Sequence, residues 1–153
     1  MAHNILVAAE INDDYLRSPV DDLYSFYYTM QWAAFFHDQE FTAKDVPERL
    51  KYSRDDLLGT YKDRLYCTAQ VTSPSSLRPR EYGSVVATCQ PVLRAWYLEL
   101  WGIKGDWEEC QSKLCGQDIE ATGKVYMSLF STFALRGVAT LAEVVYEYTS
   151  DMG

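Results

Sequence analysis

Apolar residues recur along most of the chain at intervals of three and four, which is the spacing of one face of an α-helix. The clearest such stripe lies in the segment 84–101 and consists of Val85, Cys89, Val92, Leu93, Trp96, Tyr97 and Leu100. Pro91 interrupts this segment, and we expect it to kink the helix or to mark its true start. Gly102 and Gly105 are expected to end the helix.

The segment 18–37 predicts a helix that is apolar on almost every side. Its first residues carry the usual start signals, with Ser18 at the N-cap, Pro19 at the first helical position and Asp21 where an acid complements the helix dipole. From residue 23 to residue 36 aromatic and aliphatic side chains leave almost no polar face, whereas a helix on a protein surface shows one. This helix is therefore either central in the fold or covered by a partner.

The middle of the chain predicts a helix that begins after Ser53, where Ser53 can act as the cap. A short helical turn is predicted just before it, over residues 45–50. Residues 72–80 are predicted to form a loop, because two prolines and three serines interrupt any regular element there. A further short helix is predicted to begin at Asp106 and to stop at Gly116.

The segment 118–149 fits one long helix or two shorter helices that break near Gly137. Residues 125–133 also alternate between apolar and polar, so a strand competes with the helix there. We predict an all-α fold, a single-domain bundle of about five helices over residues 1–153. The alternative is an α+β fold in which 118–149 is partly strand.

The composition is that of a soluble globular protein that can build a core without disulfides or metals, since it has 153 residues of which 48% are hydrophobic. The apolar run at residues 4–10 is too short for a signal peptide or a membrane span, so a cytoplasmic location is expected. The four cysteines are therefore expected to be reduced thiols, and their spacing forms no zinc motif. They are Cys67, Cys89, Cys110 and Cys115.

The charge of the chain is acidic overall but unevenly distributed. The net charge of −8 argues against general binding to nucleic acid or to an anionic membrane. Residues 44–80 nevertheless carry eight basic and five acidic side chains, whereas the segments on both sides are acidic. This segment is either an exposed surface of mixed charge or a positive face that meets acidic surface on a partner or on a second copy of the chain.

The sequence offers few groups that are typical of catalysis. Of its two histidines, His3 is close to the N-terminus and His37 follows the aromatic helix, where a cation stabilises the helix C-terminus. Neighbouring acids such as Asp55 and Asp56 point about 100° apart on a helix and do not form a joint site. Residues 116–125 lack the spacing of a phosphate-binding loop. We therefore predict no catalytic residue, no cofactor, no metal site and no enzymatic activity.

The leading functional hypothesis is a non-enzymatic interaction protein or self-assembling structural subunit, in which the partner is another protein or the chain itself. The contact is predicted through the aromatic helix and the basic segment 44–80. Two alternatives stay open: an acidic inhibitor or adaptor that docks on a nucleic-acid-binding enzyme, and a helical bundle that binds a small ligand or acts as an enzyme. The predicted interaction residues are Tyr24, Tyr28, Trp32, Phe35, Arg49, Arg54, Arg78 and Arg80.

Overall fold

The computed structural model of the protein describes residues 18–37, 39–114 and 119–150, and it describes the side chains of these ranges except for 114 and 119–124. The predictions for His3, Cys115, Gly116 and the apolar run 4–10 lie outside the described residues. The fold is all-α, as predicted, and no described residue belongs to a strand. The described residues form six helices: α1 (Pro19–Phe35), α2 (Glu48–Leu58), α3 (Tyr61–Thr72), α4 (Pro79–Tyr82), α5 (Ser84–Leu114) and α6 (Ile119–Ser150).

The chain divides into two compact units. The central unit is Tyr27–Ala95, and the terminal unit comprises the described residues up to Phe26 and from Trp96 onward. Helices α1 and α5 each contribute residues to both units.

The core of the terminal unit is built on one face of α5. Trp96, Leu100, Ile103 and Trp107 are all buried and follow one another at intervals of four, three and four. Trp107 packs edge-on against Phe133 of α6, with ring centroids 5.4 Å apart. The predicted helix end at Gly102 and Gly105 is therefore wrong. Burial on this face outweighs the cost of about 0.5–1 kcal/mol that each glycine imposes on a helix.

The C-terminal segment is one continuous helix, α6, so the alternatives of a strand or of a break near Gly137 are wrong. Gly137 is buried and lies against Leu23 of α1. A Cβ atom placed on Gly137 would approach Cδ1 of Leu23 to 2.2 Å. This glycine thus permits close helix packing in the terminal unit and does not interrupt the helix.

The middle segment contains two helices where one was predicted. Helix α2 ends at Leu58, and Thr60 starts α3 with a capping box. The Thr60 hydroxyl accepts from the Asp63 amide, and the Asp63 carboxylate accepts from the Thr60 amide at 2.8 Å. The predicted loop is confirmed for residues 73–78, after which α4 forms a single short turn.

A buried polar group joins α1 to α3 inside the central unit. Gln31 is fully buried, accepts a hydrogen bond from the Thr68 hydroxyl at 3.3 Å and donates to the Cys67 sulfur at 3.7 Å. Because an unpaired buried amide costs free energy, these bonds favour one register of the two helices over its alternatives.

Candidate interaction surface

Two of the predicted interaction residues are core residues. Tyr24 and Phe35 are only 3% and 1% exposed. Tyr24 packs edge-on against Tyr97 at 6.0 Å, and burial, together with Tyr97 and Glu108, raises the pKa of its hydroxyl above the ordinary value. The structure thus offers no surface contact through Tyr24 or Phe35, because the folded chain buries both side chains. Tyr28 is half-buried.

One exposed aromatic side chain of α1, Trp32, stacks on half-buried Phe36, which directly follows the last residue of the helix. Trp32 lies over Phe36, with ring centroids 4.2 Å apart and planes inclined by 20°. The guanidinium of Arg54, from α2, lies 5.6 Å from the centroid of the Phe36 ring. Trp32 remains 44% exposed. We call Trp32, Phe36 and Arg54 the aromatic–arginine cluster; it presents flat apolar surface beside a cation, a combination that is enriched in protein interfaces.

Arg54 also terminates α1. Its Nε donates to the carbonyl oxygen of Phe35 at 2.5 Å, and a second guanidinium nitrogen donates to the carbonyl of His37 at 3.4 Å. The Phe35 carbonyl belongs to the last residue of α1 and the His37 carbonyl lies just beyond it, at the helix end where a positive charge is favourable. His37, which the sequence predicts to stabilise the end of this helix as a cation, lies exposed two residues beyond the last residue of α1.

A basic surface lies where α2 packs against α4. Arg49 of α2 approaches Glu81 of α4 to 3.7 Å, and a hydrogen bond with Tyr82, together with the Glu81 carboxylate, raises the pKa of Arg49. Arg78 and Arg80 are exposed at the start of α4 and within it. We call Arg49, Arg78 and Arg80 the basic surface.

The structure separates Arg54 from Arg49. The two residues are five positions apart in α2 and therefore point in directions that differ by about 140°. Arg49 reaches α4, whereas Arg54 reaches the end of α1. The eight predicted residues thus resolve into a buried pair, a half-buried tyrosine and two distinct surface groups.

Glu40 is an organising residue that the sequence did not indicate. Its carboxylate accepts from the backbone amide and the hydroxyl of Ser84 and from the amide of Val85 at 3.1 Å, which caps the start of α5. Burial raises the pKa of Glu40, but these hydrogen bonds outweigh it, so the pKa lies below its ordinary value. Gly83 lies just before α5 and has φ +88°. A Cβ atom placed there would lie 2.8 Å from a ring carbon of Phe41, so the backbone packs closely against the Phe41 side chain.

Among the described residues, no three His, Cys, Asp or Glu side chains are grouped so that they could hold a metal ion. Cys67 is a free thiol inside the central unit. Burial and the nearby Asp56 raise its pKa to about 12, so it is protonated and poorly nucleophilic at neutral pH.

The chain was also compared with known proteins. No family model, curated protein or solved structure matches it.

Proposed function

We propose that the protein is a non-enzymatic interaction subunit that binds another protein, or a further copy of itself, through the central unit. The observation that carries the proposal is the aromatic–arginine cluster at the end of α1, in which Trp32 is exposed and Phe36 and Arg54 are half-buried. A tryptophan that is stacked on a neighbouring ring and still 44% exposed offers an interface a large apolar contact with few rotamers to freeze.

The basic surface supports the same proposal by a different argument. Arg49, Arg78 and Arg80 are all exposed, on a chain whose net charge is −8. An acidic surface on the partner would be steered toward this region, and the acidic flanks of a second copy have the required sign. Contact through the basic surface is therefore expected to weaken in high salt, while contact through the cluster is expected to persist.

The two parts of the proposal are tested separately by light scattering behind a sizing column, with the chain mass of 17.6 kDa as reference. Arg78→Glu combined with Arg80→Glu is expected to reduce association. The matched control is Lys44→Glu with Lys62→Glu, which changes the charge equally at other exposed positions of the unit. If the two double variants associate to the same extent, the basic surface is not part of the contact.

Trp32→Ala tests the cluster against Phe26→Ala, which removes an aromatic side chain that is 52% exposed on the same helix. Trp32→Ala is expected to lower the associated mass, or the capture of a partner, more than Phe26→Ala does. The proposal would be refuted if the wild-type chain stays monomeric and if wild type and Trp32→Ala capture the same proteins.

A further inference from the structure

A single buried side chain of α5 holds the loop 73–78. Gln90 is 5% exposed and lies within the central unit. Its Nε2 donates to the carbonyl oxygen of Val71 at 3.2 Å and to that of Ser75 at 2.8 Å. Its Oε1 accepts from the backbone amide of Leu77 at 2.7 Å. One amide group thus binds the last turn of α3, the middle of the loop and the end of the loop.

The side chain of glutamine is suited to this role because it offers two N–H donors and a carbonyl acceptor without a net charge. The segment 71–77 directs two carbonyls and one amide toward Gln90, and such groups cost free energy when they are buried without partners. The reverse orientation of the side-chain amide would place its oxygen against the carbonyl oxygens of Val71 and Ser75. The hydrogen bonds therefore determine which atom of the amide lies on which side.

These hydrogen bonds lead directly into the basic surface. Leu77, whose amide is held by Gln90, immediately precedes Arg78. The Arg78 carbonyl accepts from the amide of Tyr82 at 3.0 Å, within the single turn of α4. Tyr82 is buried and forms a hydrogen bond with Arg49 of α2. A continuous hydrogen-bonded path thus connects Gln90 with Arg78 and with Arg49.

Order in this loop affects binding because association costs entropy for every group that it immobilises. Loops are ordinarily more mobile than the helices that they connect. Here the backbone that leads to Arg78 and Arg80 is held in place before a partner arrives, while both arginine side chains remain exposed. A partner that binds these arginines therefore has less backbone to order.

We infer that Gln90 is a positioning residue of the basic surface, and that it holds the loop 73–78 in the conformation in which Arg78 and Arg80 bind an acidic segment of the partner. Gln90 is itself buried, so it acts through the loop and not by contact with the partner. The inference rests on the proposed function, to which it adds the residue that controls the affinity of the basic surface.

Hydrogen exchange on the full chain tests the hold on the loop. The Leu77 amide is expected to exchange slowly in wild type, because Gln90 binds it. Gln90→Met keeps the length of the side chain but lacks its amide, and it is expected to speed exchange at Leu77 about tenfold. The matched control is Gln31→Met, which alters a second buried glutamine of the same unit and is expected to leave Leu77 unchanged. Fast exchange at Leu77 in wild type, or equal exchange in wild type and Gln90→Met, would overturn the inference.

Binding of a fluorescently labelled poly-glutamate peptide at low salt tests the consequence for the basic surface. Gln90→Met is expected to raise the dissociation constant about three- to tenfold, whereas Gln31→Met is expected to leave it unchanged. Arg78→Glu with Arg80→Glu is expected to abolish binding. No binding by wild type, equal affinities of wild type and Gln90→Met, or equal losses in the two glutamine variants would overturn the inference. Loss of the helical circular dichroism signal in Gln90→Met would assign Gln90 to the stability of the whole unit and would also overturn it.

The failure of this inference can be distinguished from the failure of the proposed function. Light scattering and partner capture by the wild-type chain test the proposed function and do not involve Gln90→Met. A chain that associates, but binds the peptide equally well with and without Gln90, would overturn this inference alone. A chain that stays monomeric and captures no partner, but loses peptide affinity in Gln90→Met, would refute the proposed function and leave the positioning role of Gln90 in place.

Discussion

Replacement of Gly137 by alanine measures how closely α6 packs in the terminal unit. The added Cβ would lie 2.2 Å and 2.4 Å from the two Cδ atoms of Leu23, and 2.8 Å from its Cγ. Leu23 is 2% exposed and cannot swing into solvent. Overpacking of this kind costs about 1–3 kcal/mol, whereas exchanging glycine for alanine inside a helix gains about 0.5–1 kcal/mol. We expect a net loss of up to about 2.5 kcal/mol.

The control is Gly102→Ala in α5, where the new Cβ meets no atom within 4 Å. This variant receives the helix gain alone and is expected to be more stable than wild type. The difference between the two variants therefore isolates the packing term. Thermal unfolding followed by far-ultraviolet circular dichroism resolves it, since a chain of this size shifts by roughly 2–4 °C per kcal/mol.

A double-mutant cycle locates the clash. Leu23→Ala alone creates a cavity and is expected to cost about 2–5 kcal/mol. In the Gly137→Ala background it is expected to cost less, because the truncation removes the atoms that the new methyl group meets. A Gly137→Ala variant as stable as Gly102→Ala, or strictly additive effects of the two substitutions, would refute the close packing.

Three further changes test the central unit by thermal unfolding. Phe35→Glu is expected to unfold the protein, since it adds an unpaired buried charge to the roughly 3–5 kcal/mol lost on truncating a buried phenylalanine. Trp32→Glu, at an exposed position, is expected to stay helical. If both variants fold, the burial of Phe35 is contradicted. Arg54→Lys is expected to lower the free energy of unfolding by about 1 kcal/mol, because it loses the forked contact with the end of α1. The control, Arg49→Lys, is expected to have almost no effect. Equal effects of the two substitutions would contradict the capping role of Arg54. Glu40→Ala is expected to cost roughly 1 kcal/mol at pH 7. The pKa of Glu40 is lowered in the folded state, so its contribution is complete above the ordinary pKa of 4.5 and is lost as the pH falls below it; an unchanged gap between wild type and variant in acid would contradict this.

The helical class was predictable because the apolar spacing is strong in every long segment. The helix boundaries were less predictable, because they depend on whether burial of the following residues outweighs the cost of a glycine in the helix, and the spacing does not reveal this balance. Gly102 looks like a helix end in isolation. It is not one, because Ile103 and Trp107 continue the buried face of α5 beyond it. The break between α2 and α3 did carry a readable pattern, with Thr60 three residues before Asp63, and the capping box confirms its meaning.

The candidate surface was less predictable because it depends on contacts between residues that are distant in sequence. Arg54 caps a carbonyl 19 residues earlier in the chain, and Glu40 caps an amide 44 residues later. Neither relation has a local pattern. The basic surface was easier to predict, since exposed arginines need only a position outside the core.

Helices α1 and α6 show why apolar composition alone does not distinguish a core helix from a docking helix. Helix α1 is apolar on almost every side, and α6 has a wide uncharged side opposite its buried residues. For α1 the chain supplies the cover at Tyr24, Tyr27 and Phe35, and only side chains such as Trp32 remain at the surface. For α6 the chain covers one stripe and leaves Leu135, directly opposite, 73% exposed. A similar apolar pattern is thus largely buried by the chain in α1, whereas in α6 much of it is exposed among the described residues.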